Sequence, residues 1–123
     1  MKLTVKKLKI FMFLFFISMA CESAEVASVK NGILDGCPDR TIGEMVSCYM
    51  GSPKWESIVA EDGNSYVNIS GSVMLNDKEV NALLQFMLHD DDRFEVNAFE
   101  MNEIPQNMLM FAGLMNNMCE CED

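Results

Sequence analysis

The chain has 123 residues, is half hydrophobic, and carries nine basic against nineteen acidic residues for a net charge of −10. That length suits one small domain. The acidity argues against nucleic acid, whose phosphates are held by Lys and Arg that displace counterions, and against anionic lipid head groups.

The charge is distributed unevenly. Lys2, Lys6, Lys7 and Lys9 precede an apolar run, Ile10 to Met19, and Ser18-Met19-Ala20 places small residues at the two positions a signal peptidase inspects. The run is shorter than the roughly 20 apolar residues a membrane span needs, so residues 1–20 read as an export signal. The pentad Ile17-Ser18-Met19-Ala20-Cys21 is similar to a bacterial lipoprotein signal, although Ser18 stands where such signals more often carry Leu. On this reading Cys21 is lipidated and anchors the protein to the cell envelope, in the periplasm or at the outer membrane of a Gram-negative cell. The mature residues 21–123 then keep five basic and all nineteen acidic side chains, a net charge of −14.

Five cysteines in an oxidising compartment leave an odd thiol unless Cys21 is consumed by lipid, after which Cys37, Cys48, Cys119 and Cys121 make two pairs. A bridge between Cys119 and Cys121 would close a strained ring, so each is expected to reach back toward the N-terminal half. A bridge from Cys37 to Cys48 across the first helix stays open. Zinc is the rival use of four cysteines, but the spacings C-x10-C and C-x-C match no common zinc pattern.

In chain order, Glu22–Lys30 is short, polar and rich in small residues, and reads as a tether that need not fold. Asn31-Gly32 and Asp35-Gly36 are turn dipeptides, and the domain occupies residues 31–123. Thr41-Ile42-Gly43-Glu44 has the form of a capping box. The helix it opens carries Ile42, Met45, Val46, Tyr49 and Met50 as one stripe and ends at Gly51-Ser52-Pro53.

From Trp55 onward the period becomes two. Trp55–Glu61, Tyr66–Leu75, Glu79–His89 and Phe94–Met101 read as strands, with turns at Asp62-Gly63-Asn64, Asn76-Asp77 and Asp90-Asp91-Asp92 and a bulge marked by Gly71. Strict alternation puts Val67, Ile69, Val73, Leu75, Val80, Ala82, Leu84, Phe86, Leu88, Phe94, Val96 and Ala98 on one face. Tyr66, Met74, Leu83, Met87, Phe99 and Met101 then fall on the other, interleaved with Asn68, Asn81, Gln85 and Asn97. Pro105 suits the first turn of a last helix, whose stripe is Met108, Phe111, Ala112, Met115 and Cys119. The expected fold is α+β: a four-stranded antiparallel meander with an N-terminal and a C-terminal helix on one face, in the order α-β-β-β-β-α.

The strings TIGEMVSCYMGSPKWES, DGNSYVNISG, VNALLQF and FEVNAFEMNEIPQNMLM resemble a small uncharacterised domain of exported bacterial proteins and lipoproteins, over about residues 31–119. The T-I-G helix start, S-P-x-W-E and V/I-P-Q-N are the most specific parts. The resemblance implies an envelope location and a pairing of Cys37 with Cys119, leaving Cys48 and Cys121 as an additional pair. It implies no reaction and no cofactor.

Three residue sets invite chemistry. His89 adjoins Asp90-Asp91-Asp92 and could act as a base, but no nucleophile with an orienting partner stands near it in sequence, and a solvated strand-end histidine is the ordinary account. The three aspartates could hold calcium, yet they lack the D-x-D-x-D-G spacing. Nine methionines in the mature chain suggest copper(I), although most fall on stripes assigned to the core, where Met is an adaptable filler. The chain reads as no enzyme but as a protein-binding module, of inhibitor or immunity type, for a basic envelope or secreted partner. Tyr66, Leu83, Met87, Phe99 and Met101 form its contact face, with a homodimer as another use of that face. The alternative is a metal-handling protein for copper(I) or calcium.

Overall fold

A computed structural model describes residues 22–122; the expected export signal over 1–20 and the expected lipidation site Cys21 lie outside the described residues. The fold is α+β: an antiparallel sheet of five strands in the order β1-β2-β3-β4-β5, with three helices. The strands are β1 Gly51–Val59, β2 Ser65–Leu75, β3 Lys78–Leu88, β4 Phe94–Met101 and β5 Ile104–Pro105. The helices are α1 Ala24–Lys30, α2 Ile42–Tyr49 and α3 Met108–Cys119, and among the described residues none is long and apolar enough to cross a membrane.

α2 is built as its sequence predicts. The Thr41 hydroxyl accepts from the Glu44 N–H at 3.1 Å, and the Glu44 carboxylate accepts from the Thr41 N–H at 2.8 Å. Two backbone donors at the helix start are thereby satisfied. Its face of Ile42, Met45 and Val46 is buried against the sheet residues Val67, Ile69, Leu84 and Phe86 in one core cluster.

The tether expectation is overturned. Ala24–Lys30 is helical, capped by the Ser23 side chain, with Val26 and Val29 buried and Val29 fully enclosed. Seven residues are too few for an isolated helix in water, so this turn exists because two valines at i and i+3 find the core. Lys30 fastens its end, with its ammonium 2.7 Å from Glu22 and 5.0 Å from the Trp55 ring centroid. Gly43 lets α1 and α2 meet: a Cβ there would lie 2.9 Å from the Lys30 carbonyl oxygen.

The central strands pair in unbroken register from Ser65↔Leu88 to Leu75↔Lys78, joined by the two-residue turn Asn76-Asp77 with φ of 52° and 66°. Those positive angles match the twist of a tight hairpin. Gly71 stays in register with Ala82; the irregularity lies opposite it, in β1 between Gly51 and Lys54. Pro53 is tolerated there because β1 is an edge strand.

β4 departs from strict alternation. Gln85 faces Ala98 while the next residue, Phe86, faces Val96, so Asn97 and Ala98 together oppose one residue. This β-bulge inserts one residue and reverses the parity beyond it. Phe94 and Val96 point to the helices, as do Phe99 and Met101, whereas Ala98 does not. The assignment of Phe99 and Met101 to the contact face is therefore wrong: Phe99 is 4 % exposed and Met101 packs on the same core. The Phe99 ring meets Phe111 of α3 edge-on at 6.0 Å.

The C-terminal helix also starts later than expected. Ile104-Pro105 forms the short edge strand β5 against Glu100 and Met101, and Asn107 caps α3 by accepting from the Met110 N–H at 2.9 Å. The buried stripe moves accordingly to Phe111, Leu114 and Met118, with Met115 and Cys119 beside it, while Met108 and Ala112 face solvent.

Two disulfides fasten α3. Cys37 pairs with Cys119 and Cys48 with Cys121, at Cα separations of 5.7 and 6.1 Å. The adjacent cysteines of C-x-C thus reach different partners, and neither a Cys37–Cys48 bridge nor a zinc thiolate set is left available. Each crosslink closes a loop of 82 or 73 residues, worth about 4 kcal/mol through the lost entropy of the unfolded chain.

Candidate binding surface

All three helices lie over one face of the sheet, and the other face has no described element on it. Its rows follow from the register: Ile58–Tyr66–Met87–Glu95, then Glu56–Asn68–Gln85–Ala98, then Lys54–Ser70–Leu83–Glu100. Tyr66, Leu83 and Met87 are brought together here, each half-buried by its neighbours on the sheet. Apolar side chains are thus concentrated in the first row, and Leu83 stands between Ser70 and Glu100 in the third.

A side-chain amide ladder runs across the middle row. Gln85 donates to Asn68 at 3.0 Å and accepts from Asn97 at 2.6 Å, joining β2, β3 and β4. The bulge makes this possible, because it turns Asn97 outward beside Ala98. These amides hold one another in fixed rotamers and lower the ordering cost that flexible side chains bring to a contact surface.

A second apolar feature was missed by sequence reasoning. A cleft of about 330 Å³ lies between α3 and the ends of β2 and β4. Val73, Phe99 and Leu114 form its buried floor, and Met74, Leu109 and Met110 its exposed mouth. Gly113 leaves a gap in the helix wall, since a Cβ there would meet nothing within 4 Å. Leu109, 79 % exposed in the first turn of α3, was the readable signal: an apolar residue on the side of the helix away from Phe111 and Leu114.

Other concavities hold groups already engaged. A broad depression of about 740 Å³ is lined by Lys30, Arg40, Thr41, Glu44 and Trp55. Lys30 is spent on Glu22 and Trp55, Arg40 donates to the Cys121 carbonyl, and Thr41 and Glu44 form the capping box. His89 Nε2 lies 2.9 Å from Glu95 Oε1 at the end of β3. In the acidic turn, Asp91 Oδ2 accepts from Arg93 Nε at 2.6 Å. Partial desolvation pushes the Asp91 carboxyl up, but the Arg93 hydrogen bond and charge, with backbone N–H groups, outweigh it and hold the group below its ordinary range. Among the described residues, no group of three or more His, Cys, Asp or Glu converges as a metal site requires.

Comparison with protein-family models, with curated proteins and with solved structures returned no match to this chain.

Proposed function

We propose that the protein is an exported cell-envelope lipoprotein, anchored through Cys21, that works as a non-catalytic binding module for a basic protein partner. Membership of the small uncharacterised domain of exported proteins belongs to the same proposal, on the strength of the T-I-G, S-P-x-W-E and I-P-Q-N strings. The observation that carries the reading is a sheet face that no described helix covers, with Tyr66, Leu83 and Met87 set among ordered amides, on a domain of net charge −14. Charge at this density steers a cationic protein toward the domain, and apolar groups prolong its stay. An inhibitor or immunity-type protein, which neutralises its target by occupying it, needs no more chemistry than this. Two disulfides are compatible with an exported life.

Capture from envelope extract tests the reading, with wild type, Leu83→Asp and Met87→Asp side by side. Both variants are expected to lose a partner that wild type retains while keeping the unfolding transition of wild type. Raising the salt to about 0.5 M, where the Debye length is roughly 4 Å, should slow association more than dissociation. Retention of every partner by both variants refutes the sheet face as the contact. For the anchor, Cys21→Ser should release the protein from membranes; unchanged fractionation and mass would refute lipidation.

A further inference from the structure

The two bridges that fasten α3 are not equivalent. Cys37 is fully buried and Cys119 packs against the same core, whereas Cys48 and Cys121 are each partly exposed and lie outside that cluster. Their places in the chain differ in the same sense. Cys119 is the last residue of α3 and follows the buried Met118, so Cys37–Cys119 ties the helix itself to the core. Cys121 lies beyond the helix cap Glu120. Its bridge to Cys48, in the last turn of α2, ties down the chain that leaves the helix.

Electrostatics separates the bridges further. Thiol–disulfide exchange needs a thiolate with access to one sulfur and a partner sulfur able to leave as a thiolate. Attack on Cys119 would release a negative charge on Cys37 inside an apolar cluster, which burial penalises, and Cys37 itself offers no access. At the other bridge the Arg40 guanidinium donates to the Cys121 carbonyl, so a thiolate formed on Cys121 stands near a cation and near water.

We propose that Cys48–Cys121 is a redox-sensitive clasp, opened by a dithiol while Cys37–Cys119 stays closed. A thiolate of the dithiol bonds to the Cys48 sulfur, the Cys48–Cys121 bond breaks, and its electron pair leaves on Cys121. The reagent's second thiolate then bonds to its first sulfur and expels Cys48. The dithiol ends as a disulfide, and its two protons go to the two protein thiols. The opened domain keeps α3 docked through Cys119, loses the crosslink between the ends of α2 and α3, and releases the segment that Arg40 holds. A reducing signal thereby loosens one end of the helix layer without dissolving the fold.

The test uses the full chain carrying Cys21→Ser, which removes the fifth thiol. It is treated with limiting dithiothreitol, trapped with N-ethylmaleimide and mapped by peptide mass. A species alkylated at Cys48 and Cys121 alone is expected to accumulate first, with its bridge opening about tenfold or more faster than Cys37–Cys119. That species should keep the helical circular dichroism of the oxidised protein. In denaturing urea the two bridges should open at similar rates, because the protection is structural. Glutathione, a monothiol, should leave its adduct mainly on Cys48. Arg40→Gln should even out the adduct between the two sulfurs, and Arg40→Lys should restore the preference. Simultaneous alkylation of all four cysteines, or alkylation of Cys37 and Cys119 first, overturns the clasp. Selectivity that persists in urea overturns it as well, since the cause would then be local sequence, and so does loss of the helical signal with the first bridge. An adduct mainly on Cys121, or a preference indifferent to Arg40, overturns Cys121 as the leaving sulfur.

Discussion

Replacing Phe99 by Ala tests the bulge in β4 directly, because the bulge alone decides which side of the sheet that ring occupies. With the bulge, the ring is 4 % exposed, lies across from Leu84, and meets Phe111 edge-on at 6.0 Å. Truncation removes a nearly fully buried aromatic side chain and leaves a cavity between sheet and α3. Such changes cost about 3–5 kcal/mol, of which the ring pair accounts for roughly 0.5–1.5 kcal/mol. The matched control is Leu83→Ala on the face that no described helix covers, where the side chain is only partly buried and the loss should stay below about 1.5 kcal/mol. Urea unfolding of the oxidised protein, followed by tryptophan fluorescence of Trp55, reads both; equal slopes would show that the unfolded reference is shared. A double-mutant cycle of Phe99→Ala with Phe111→Ala should return a coupling of about 1 kcal/mol. A Phe99→Ala cost under 1 kcal/mol, together with a larger one for Leu83→Ala, would refute the bulge and restore strict alternation along β4.

Further outcomes follow from the helix layer. Replacing both Cys48 and Cys121 by Ser should cost about 4 kcal/mol, and replacing Cys37 and Cys119 should cost more, because Cys37 is fully buried and its serine would carry a hydroxyl into the core; thermal unfolding of the two variants ranks them. Gly43→Ala should destabilise by about 1 kcal/mol or more through the Lys30 carbonyl, whereas Gly113→Ala, in open space within α3, should stabilise by roughly 0.5–1 kcal/mol. A melting-temperature comparison that finds the same sign for both would contradict the α1–α2 contact.

Much of this architecture was legible because local chemistry and tertiary demand agree. Thr41 and Glu44 announce α2 by satisfying its first donors, and the alternation of β2 and β3 survives because nothing interrupts their register. The disulfide pairs were readable only through resemblance, since spacing left the connectivity open. The failures share a cause: tertiary contacts overrode a local pattern. Glu22–Lys30 looks polar enough for a tether, and only Ser23, Val26 and Val29 at capping and i, i+3 positions hint at a helix. In β4, strict alternation would have carried Glu100 into the core, a charge that burial penalises heavily, and that conflict was the available sign of a slip. Shifting parity buries Phe99 and Met101 and returns Glu100 to the outer face. Pro105 fits an edge strand as well as a helix start, so α3 was read too early and its stripe rotated. Tyr66, Leu83 and Met87 share the outer sheet face as alternation predicts; the α3 cleft was not legible, because the expected stripe ran through Met108, Phe111, Ala112, Met115 and Cys119 and left Leu109 and Met110 off it.

The packing of α1 sets how far an anchored domain can roam. Helix α1 starts at Ala24, three residues beyond Cys21, so a lipid on that cysteine would be joined to it by at most about 11 Å of chain. A domain of this size has a radius of gyration near 13 Å. Every surface of it would remain within a few nanometres of the bilayer, and the leash is comparable with the roughly 8 Å screening length of physiological salt. The molecule would behave as part of the membrane's outer charge layer, sampling tilts over a small angle while its search volume stays nearly two-dimensional. A cationic target would be met where it crosses or leaves the membrane, and a longer, unstructured leader would surrender that positional restriction.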